Sequence, residues 1–182
     1  VSMSLSHLIH SLTFLRILLA PIIFIFVTVF KNFDIALFLF LIASISDYLD
    51  GYLARKFSLE SDIGAILDPI ADKILITFVI LALSIELSSA LIGFMGGIIL
   101  IREFWVSALR DWNARNGNSN ATKVSPLAKI KTSIQFFAFA GFFCGLFLNS
   151  KLILFVSNLL LFFAAIITIQ TGLSYTIASF KK

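Results

Sequence analysis

Charged residues are scarce in this chain, where they make up 13% of the 182 residues. Ordinary soluble domains contain about twice that share. Hydrophobic residues make up 59% of the chain, and the mean hydropathy is +1.03. So few polar side chains exclude an ordinary water-soluble enzyme or binding domain. The sequence therefore predicts an all-α integral membrane protein with a single domain over 1–182.

Cysteine is nearly absent as well, since Cys144 is the only one. A single cysteine excludes an internal disulfide. The net charge of +4 is small, and no face that combines basic with aromatic residues is visible. Nucleic acid is therefore not an expected partner, whereas membrane lipid is.

Short polar segments divide the apolar sequence into stretches that are long enough to cross a bilayer, which takes about 20 helical residues. Six transmembrane helices are predicted, at 12–30, 34–55, 61–87, 90–110, 126–148 and 152–178. Ahead of the first one, residues 4–10 leave room for a short interfacial helix.

Basic residues predict the orientation of these helices, because cytoplasmic loops are enriched in lysine and arginine. Lys31 and Lys151 would fall on the outer side of the membrane. The opposite side collects Arg16, Arg55, Lys56, Arg110, Arg115, Lys123, Lys129, Lys131, Lys181 and Lys182. This asymmetry predicts that both termini are cytoplasmic.

The most informative feature is a group of four aspartates within the apolar sequence: Asp47, Asp50, Asp68 and Asp72. Because a carboxylate near the middle of a membrane helix costs about 2.5–3.5 kcal/mol, we expect these four to be functional. The first two lie near the cytoplasmic end of the second predicted helix, and the last two lie in the first turns of the third. Since a short loop joins the two helices, both pairs should face each other at a similar depth.

Helical spacing places each pair on one face of its helix, since the two members are three residues apart in one pair and four in the other. Four converging carboxylates repel one another unless cations neutralise them or a proton is shared. Oxygen ligands of this kind suit Mg²⁺ or Mn²⁺. Small neighbouring residues leave room for a bulky ligand beside the acids. These neighbours are Gly51, Ala54 and Gly64.

The pattern Asp-x2-Asp-Gly-x2-Ala-Arg-x8-Gly-x3-Asp-x3-Asp, which runs from Asp47 to Asp72, resembles the signature of the CDP-alcohol phosphatidyltransferases. Every position of that signature is filled here. The resemblance implies a six-helix membrane fold that is commonly dimeric. It also implies an enzyme that transfers a phosphatidyl or similar group from a CDP-linked donor to an alcohol and releases CMP.

The same resemblance implies roles for the residues of the signature. Asp47, Asp50 and Asp68 would bind Mg²⁺ or Mn²⁺ and the donor pyrophosphate. Asp72 would act as the base that deprotonates the acceptor hydroxyl, and as a carboxylate of the same cluster it is also a candidate metal ligand. The remaining signature residues would line the pocket for the donor, CDP-diacylglycerol. They are Gly51, Ala54, Arg55 and Gly64.

Three further segments, at 12–21, 101–110 and 129–132, resemble bacterial members of this family whose acceptor is glycerol 3-phosphate. This resemblance implies a location in the bacterial inner membrane, with the active site on the cytoplasmic side. Arg102 lies near the middle of the fourth predicted helix, where a cation needs an anionic partner. Arg110 lies two turns nearer the cytoplasm, and Lys129 and Lys131 enter from the fifth helix. We expect these four cations to bind the acceptor phosphate.

Other interpretations remain open at this point. Another acceptor, such as inositol phosphate, serine or phosphatidylglycerol, would suit a different member of the family. A divalent-metal transporter would also use acidic residues within the membrane. Arg102 could instead form an internal salt bridge near Glu103 or with an aspartate, and Arg16 could simply anchor its helix at the membrane surface.

Overall fold

The computed structural model describes residues 2–57 and 62–181, with side chains over 11–53, 56–57, 64 and 66–181. Within these ranges the chain forms six long α-helices and no strand. The helices are α1 (Ser2–Thr28), α2 (Phe33–Phe57), α3 (Asp62–Glu86), α4 (Ala90–Arg115), α5 (Pro126–Phe147) and α6 (Lys151–Phe180). A short 3₁₀ turn, Ser119–Thr122, lies between α4 and α5. The all-α prediction is confirmed, and each predicted transmembrane helix overlaps one of these helices.

Two helix ends differ from the predicted ones. α1 already begins at Ser2, so that residues 4–10 are helical and continuous with it. α4 continues to Arg115, beyond its apolar part, and an ion pair of 2.8 Å between Arg115 and Asp111 supports its last turn. Hydrophobic patterning marks the part of a helix that is buried in lipid, whereas polar contacts decide where the helix ends.

Serine residues mark the starts of the last three long helices. The hydroxyl of Ser89 accepts a hydrogen bond from the backbone N–H of Ile92, and Ser125 and Ser150 cap α5 and α6 in the same way. Each serine satisfies a backbone donor that has no partner within its own helix. α5 also has Pro126 at its first position, where a missing N–H costs nothing.

The chain forms two compact units, Val1–Ser88 and Ser89–Lys182. In the first unit, α1 packs against both α2 and α3. Its buried core includes small residues such as Ala20 and Ala43, which let helix backbones approach closely. α1 therefore presents its buried face to the two helices that carry the four aspartates.

In the second unit, α6 packs against both α4 and α5. The large buried side chains of this unit include Phe142, Phe143 and Leu161. Buried polar side chains are present on all three helices. They include Arg102 on α4, Lys131 and Gln135 on α5, and Thr168 and Thr171 on α6. Because buried polar groups need partners, they mark a second polar region of the molecule.

Four stretches of the described chain are long and apolar enough to cross a membrane: Ser11–Thr28, Ala90–Arg115, Ser119–Phe147 and Lys151–Phe180. The prediction of six transmembrane helices is thus matched at four of them. α2 and α3 are 25 residues long each and also expose large apolar side chains, such as Phe38 and Leu81. Exposed apolar surface on so many helices is expected for a multi-pass membrane protein, because lipid covers it.

Candidate active site

The candidate site of the first unit is built on two polar residues of α1, Thr13 and Arg16, whose side chains are both 0% exposed. They are three residues apart and therefore share one face of the helix. That helix packs against α2 and α3. Because a buried cation without anionic partners is very costly, the partners of Arg16 define the site.

All four aspartates of the signature contact the guanidinium group of Arg16. Its Nη1 donates hydrogen bonds to Asp47 and Asp72, and its Nη2 donates to Asp50. Asp68 Oδ1 lies 3.6 Å from Nη2 and accepts a hydrogen bond of 2.8 Å from the hydroxyl of Thr13. The structure therefore brings the aspartates of α2 and those of α3 together around one cation.

The four carboxylates differ in the exposed fraction of their side chains. Asp50 is almost completely buried, with 2% of its side chain exposed, whereas Asp47, Asp68 and Asp72 are 51%, 39% and 48% exposed. The buried side of the cluster is thus closed by Arg16, Thr13 and Asp50. The other three carboxylates are open to a ligand that approaches from outside.

The donor set of this cluster fits a hard divalent cation, because it consists of carboxylate oxygens only. The positions of these oxygens, however, do not form a metal site as they stand. Among the described residues, no group of three histidine, cysteine, aspartate or glutamate side chains is arranged to hold a metal ion. The guanidinium of Arg16 already bridges the carboxylates, so a metal ion would have to draw them away from it.

The other signature residues are two glycines, Ala54 and Arg55. Gly51 directly follows Asp50 in α2, and Gly64 is buried in α3 one turn before Asp68. Ala54 and Arg55 belong to α2, but their side chains lie outside the described residues. The roles expected for these residues in donor binding stay predictions.

The unit formed by Ser89–Lys182 has a candidate site of its own, a cavity of about 380 Å³. All four cations that the sequence analysis assigned to the acceptor line this cavity. Its lining consists of Arg102, Glu103, Arg110, Val124, Ala128, Lys129, Lys131, Thr132 and Ser133. Four basic residues and one acidic residue leave this cavity with an excess of positive charge.

Glu103 pairs with the two buried cations of this cavity. Its Oε1 accepts a hydrogen bond of 3.1 Å from Arg102 Nη1 and another from Lys131 Nζ. Arg102 is 8% exposed and Lys131 is 3% exposed, whereas Arg110 and Lys129 are exposed. The internal salt bridge that the sequence analysis considered for Arg102 is therefore present, and Arg102 lines the cavity at the same time.

Helix α6 holds the other side of the Arg102 side chain. Nη2 donates a hydrogen bond of 3.2 Å to Thr171, and the guanidinium carbon lies 5.5 Å from the centre of the Tyr175 ring. A Cβ atom at Gly172 would lie 3.0 Å from Cγ of Arg102. The absence of a side chain at Gly172 therefore allows the Arg102 side chain to lie against α6. These contacts fix the guanidinium at the edge of the cavity.

Comparison with known proteins agrees with this picture. The family model for CDP-alcohol phosphatidyltransferases matches residues 7–170, which is most of the chain. The chain belongs to this family. The match confirms the resemblance found in the aspartate signature, which lies inside the matched range.

Three similar curated relatives of this CDP-alcohol phosphatidyltransferase are named CDP-diacylglycerol–glycerol-3-phosphate 3-phosphatidyltransferase. The protein from Rickettsia bellii is 40% identical over 169 residues, which cover 90% of each chain. The one from Wigglesworthia glossinidia brevipalpis is 34% identical over 166 residues, again 90% of each chain. The one from Escherichia coli is 31% identical over 171 residues, or 92% of each chain.

Sequence reasoning missed the central position of Arg16 in this family member, considered Glu103 only in a salt bridge with Arg102, and assigned no role to Thr13. A signal for Arg16 was available. It is a cation in a long apolar helix, and four acidic residues of the same chain needed a partner. Counting intramembrane charges of both signs would have made Arg16 one candidate partner.

Proposed function

We propose that this family member transfers the phosphatidyl group of CDP-diacylglycerol to glycerol 3-phosphate, forming phosphatidylglycerophosphate and CMP. The printed names of the relatives support this choice of donor and acceptor. The structural observation that carries the proposal is the convergence of the four signature carboxylates in one open cluster.

In the proposed reaction, a hydroxyl oxygen of glycerol 3-phosphate attacks the phosphorus that bears the diacylglycerol group. The bond between this phosphorus and the oxygen of CMP breaks, and CMP leaves with the bonding electron pair. The hydroxyl proton passes to the carboxylate of Asp72. The exposure of 48% for this side chain makes it accessible to a substrate hydroxyl.

Mg²⁺ or Mn²⁺ is part of the proposal. Asp47, Asp50 and Asp68 would hold the metal, with Asp72 as a further ligand from the same cluster. When bound, the metal would neutralise negative charge on the donor pyrophosphate. The oxygen-only donor set supports this assignment, and it is also the reason to expect an enzyme that depends on divalent metal.

For the acceptor phosphate we propose the cavity lined by Arg102, Arg110, Lys129 and Lys131. Its lining contains three more basic than acidic residues, which suits a phosphate dianion. Its volume of about 380 Å³ is in the range of small-molecule sites. A neutral polyol such as glycerol would not neutralise the excess positive charge that remains in this cavity beside Glu103.

We further propose that the enzyme works in the bacterial inner membrane, with both termini and the active site on the cytoplasmic side. The excess of basic residues that the sequence assigns to that side supports this orientation. A homodimer is proposed from the family resemblance, and lipid would surround the exposed apolar faces.

The proposed function is tested with the full chain purified in detergent. CDP-diacylglycerol is supplied with glycerol 3-phosphate, glycerol or serine, and CMP release is followed with Mg²⁺, Mn²⁺ or a chelator. We expect CMP only when glycerol 3-phosphate and a metal are both present. Equal CMP release with glycerol or serine would contradict the acceptor assignment. No CMP release under any condition, together with uptake of metal by vesicles that contain the protein, would favour the transporter.

A further inference from the structure

Arg16 touches every carboxylate of the proposed metal site. Its side chain is fully buried, and its two terminal nitrogens contact Asp47, Asp50, Asp68 and Asp72. Its Nε is also buried and has no hydrogen-bond partner among the described residues. The guanidinium thus serves the carboxylates through its terminal nitrogens alone.

These contacts link the three helices of the first unit. Arg16 comes from α1, Asp47 and Asp50 come from α2, and Asp68 and Asp72 come from α3. The planar guanidinium presents several N–H donors in a fixed geometry, so it can bridge four acids where an ammonium group could not. Without a cation at this point, four carboxylates would repel one another across the two helices.

A divalent metal ion would bind the same four carboxylates, each of which has one oxygen in contact with Arg16. Three of the four carboxylates are 39–51% exposed, so a metal ion can reach them from the open side of the cluster. The four acids carry more negative charge than a single guanidinium neutralises. The site therefore retains an attraction for a further cation while Arg16 is in place.

We propose that Arg16 is an internal counter-cation, which holds the four carboxylates together before the metal binds and competes with the metal for them. Arg16 is then a positioning residue that lowers the apparent affinity for divalent cations and keeps the cluster assembled in their absence. This inference rests on the proposed metal site. A purely structural role predicts weaker or unchanged metal binding when Arg16 is replaced, whereas this inference predicts tighter binding.

The test measures Mn²⁺ binding to the purified full chain through the electron paramagnetic resonance signal of free Mn²⁺. With Arg16→Gln we expect Mn²⁺ to bind about tenfold more tightly than in the wild type, because the competing cation is gone. Arg16→Lys keeps the charge but not the planar geometry, and we expect an intermediate affinity. Lys31→Gln is the matched control, since it removes one cation from an exposed pair with Glu86 in the same unit, and Mn²⁺ affinity should not change.

Thermal unfolding provides the second measurement and covers the case in which Arg16→Gln is unstable without metal. In chelator, Arg16→Gln should unfold at a lower temperature than the wild type, and Mn²⁺ should raise its Tm more than it raises the wild-type Tm. Weaker or unchanged Mn²⁺ affinity in both Arg16 variants would overturn the proposal. If neither the wild type nor any variant binds Mn²⁺, the metal assignment itself fails. Binding to the wild type without tighter binding to the variants rejects the role of Arg16 alone.

Discussion

Arg110 offers the cleanest test of the acceptor site, because its side chain lines the cavity and is nevertheless exposed. Its replacement by alanine removes one positive charge from the cavity without opening a buried core. A hydrogen bond to a charged group contributes about 1.5–3 kcal/mol to binding. Since water screens an exposed side chain, we take the lower end of this range for Arg110→Ala. This predicts a fall in kcat/KM for glycerol 3-phosphate of about tenfold, or about 1.4 kcal/mol.

The same helix supplies a matched control in Arg115. This arginine is 77% exposed, forms a surface ion pair with Asp111 and lies outside the lining of the cavity. Arg115→Ala therefore removes the same charge from the same helix but leaves the cavity intact. We expect its kinetics to match those of the wild type, and we expect both variants to keep the wild-type Tm.

The assay is steady-state CMP release, in which each substrate is varied while the other is saturating. Arg110→Ala should change the kinetic constants for glycerol 3-phosphate and leave the KM for CDP-diacylglycerol unchanged. An effect confined to the donor would move Arg110 to the pyrophosphate side and refute this reasoning. An equal loss in Arg115→Ala would show that the effect comes from the overall charge of the surface.

Three further predictions concern the carboxylates. Asp68→Asn should abolish transfer and most Mn²⁺ binding, while the protein still inserts into the membrane. The control Asp34→Asn, at the exposed start of α2, should keep both transfer and Mn²⁺ binding. Near-normal turnover in Asp68→Asn would remove Asp68 from the metal ligands. Asp72→Asn should still bind CDP-diacylglycerol but lose about 10²–10⁴-fold in kcat, the usual contribution of a positioned base; loss of donor and metal binding together would make Asp72 a ligand only. Glu103→Gln should lower the Tm, because Arg102 and Lys131 lose their shared anion. Glycerol 3-phosphate should then raise the Tm of this variant more than that of the wild type. Equal shifts in Tm would contradict the proximity of the acceptor phosphate to these cations.

The sequence was sufficient to predict the helices because long apolar stretches bounded by polar loops carry most of the information about a membrane fold. It was less informative at helix ends. α4 extends past its apolar part through polar residues up to Arg115, and α1 takes in residues 4–10. Such ends depend on capping and side-chain pairs, which hydropathy does not register.

In the candidate site, the aspartates could be predicted because their spacing within each helix repeats the helical period. The partner of these aspartates could not be predicted in this way. Arg16 precedes Asp47 by 31 residues and Asp72 by 56, and no local pattern links positions so far apart. Only the packing of α1 between α2 and α3 makes them neighbours. Lys131 and Glu103 are likewise 28 residues apart, whereas the pairing of Glu103 with the adjacent Arg102 could be considered from the sequence.

The pairing of Arg16 with the aspartates also matters for the biogenesis of the protein. During synthesis, α1 leaves the ribosome before α2 and α3, so its arginine enters the membrane region ahead of every carboxylate that will neutralise it. Arg16 lies near the start of the apolar stretch Ser11–Thr28, so its charge has to stay near the membrane surface until the carboxylates arrive. We therefore expect α1 to become more stable in the bilayer once α2 and α3 follow, so that the final position of the first helix depends on the next two.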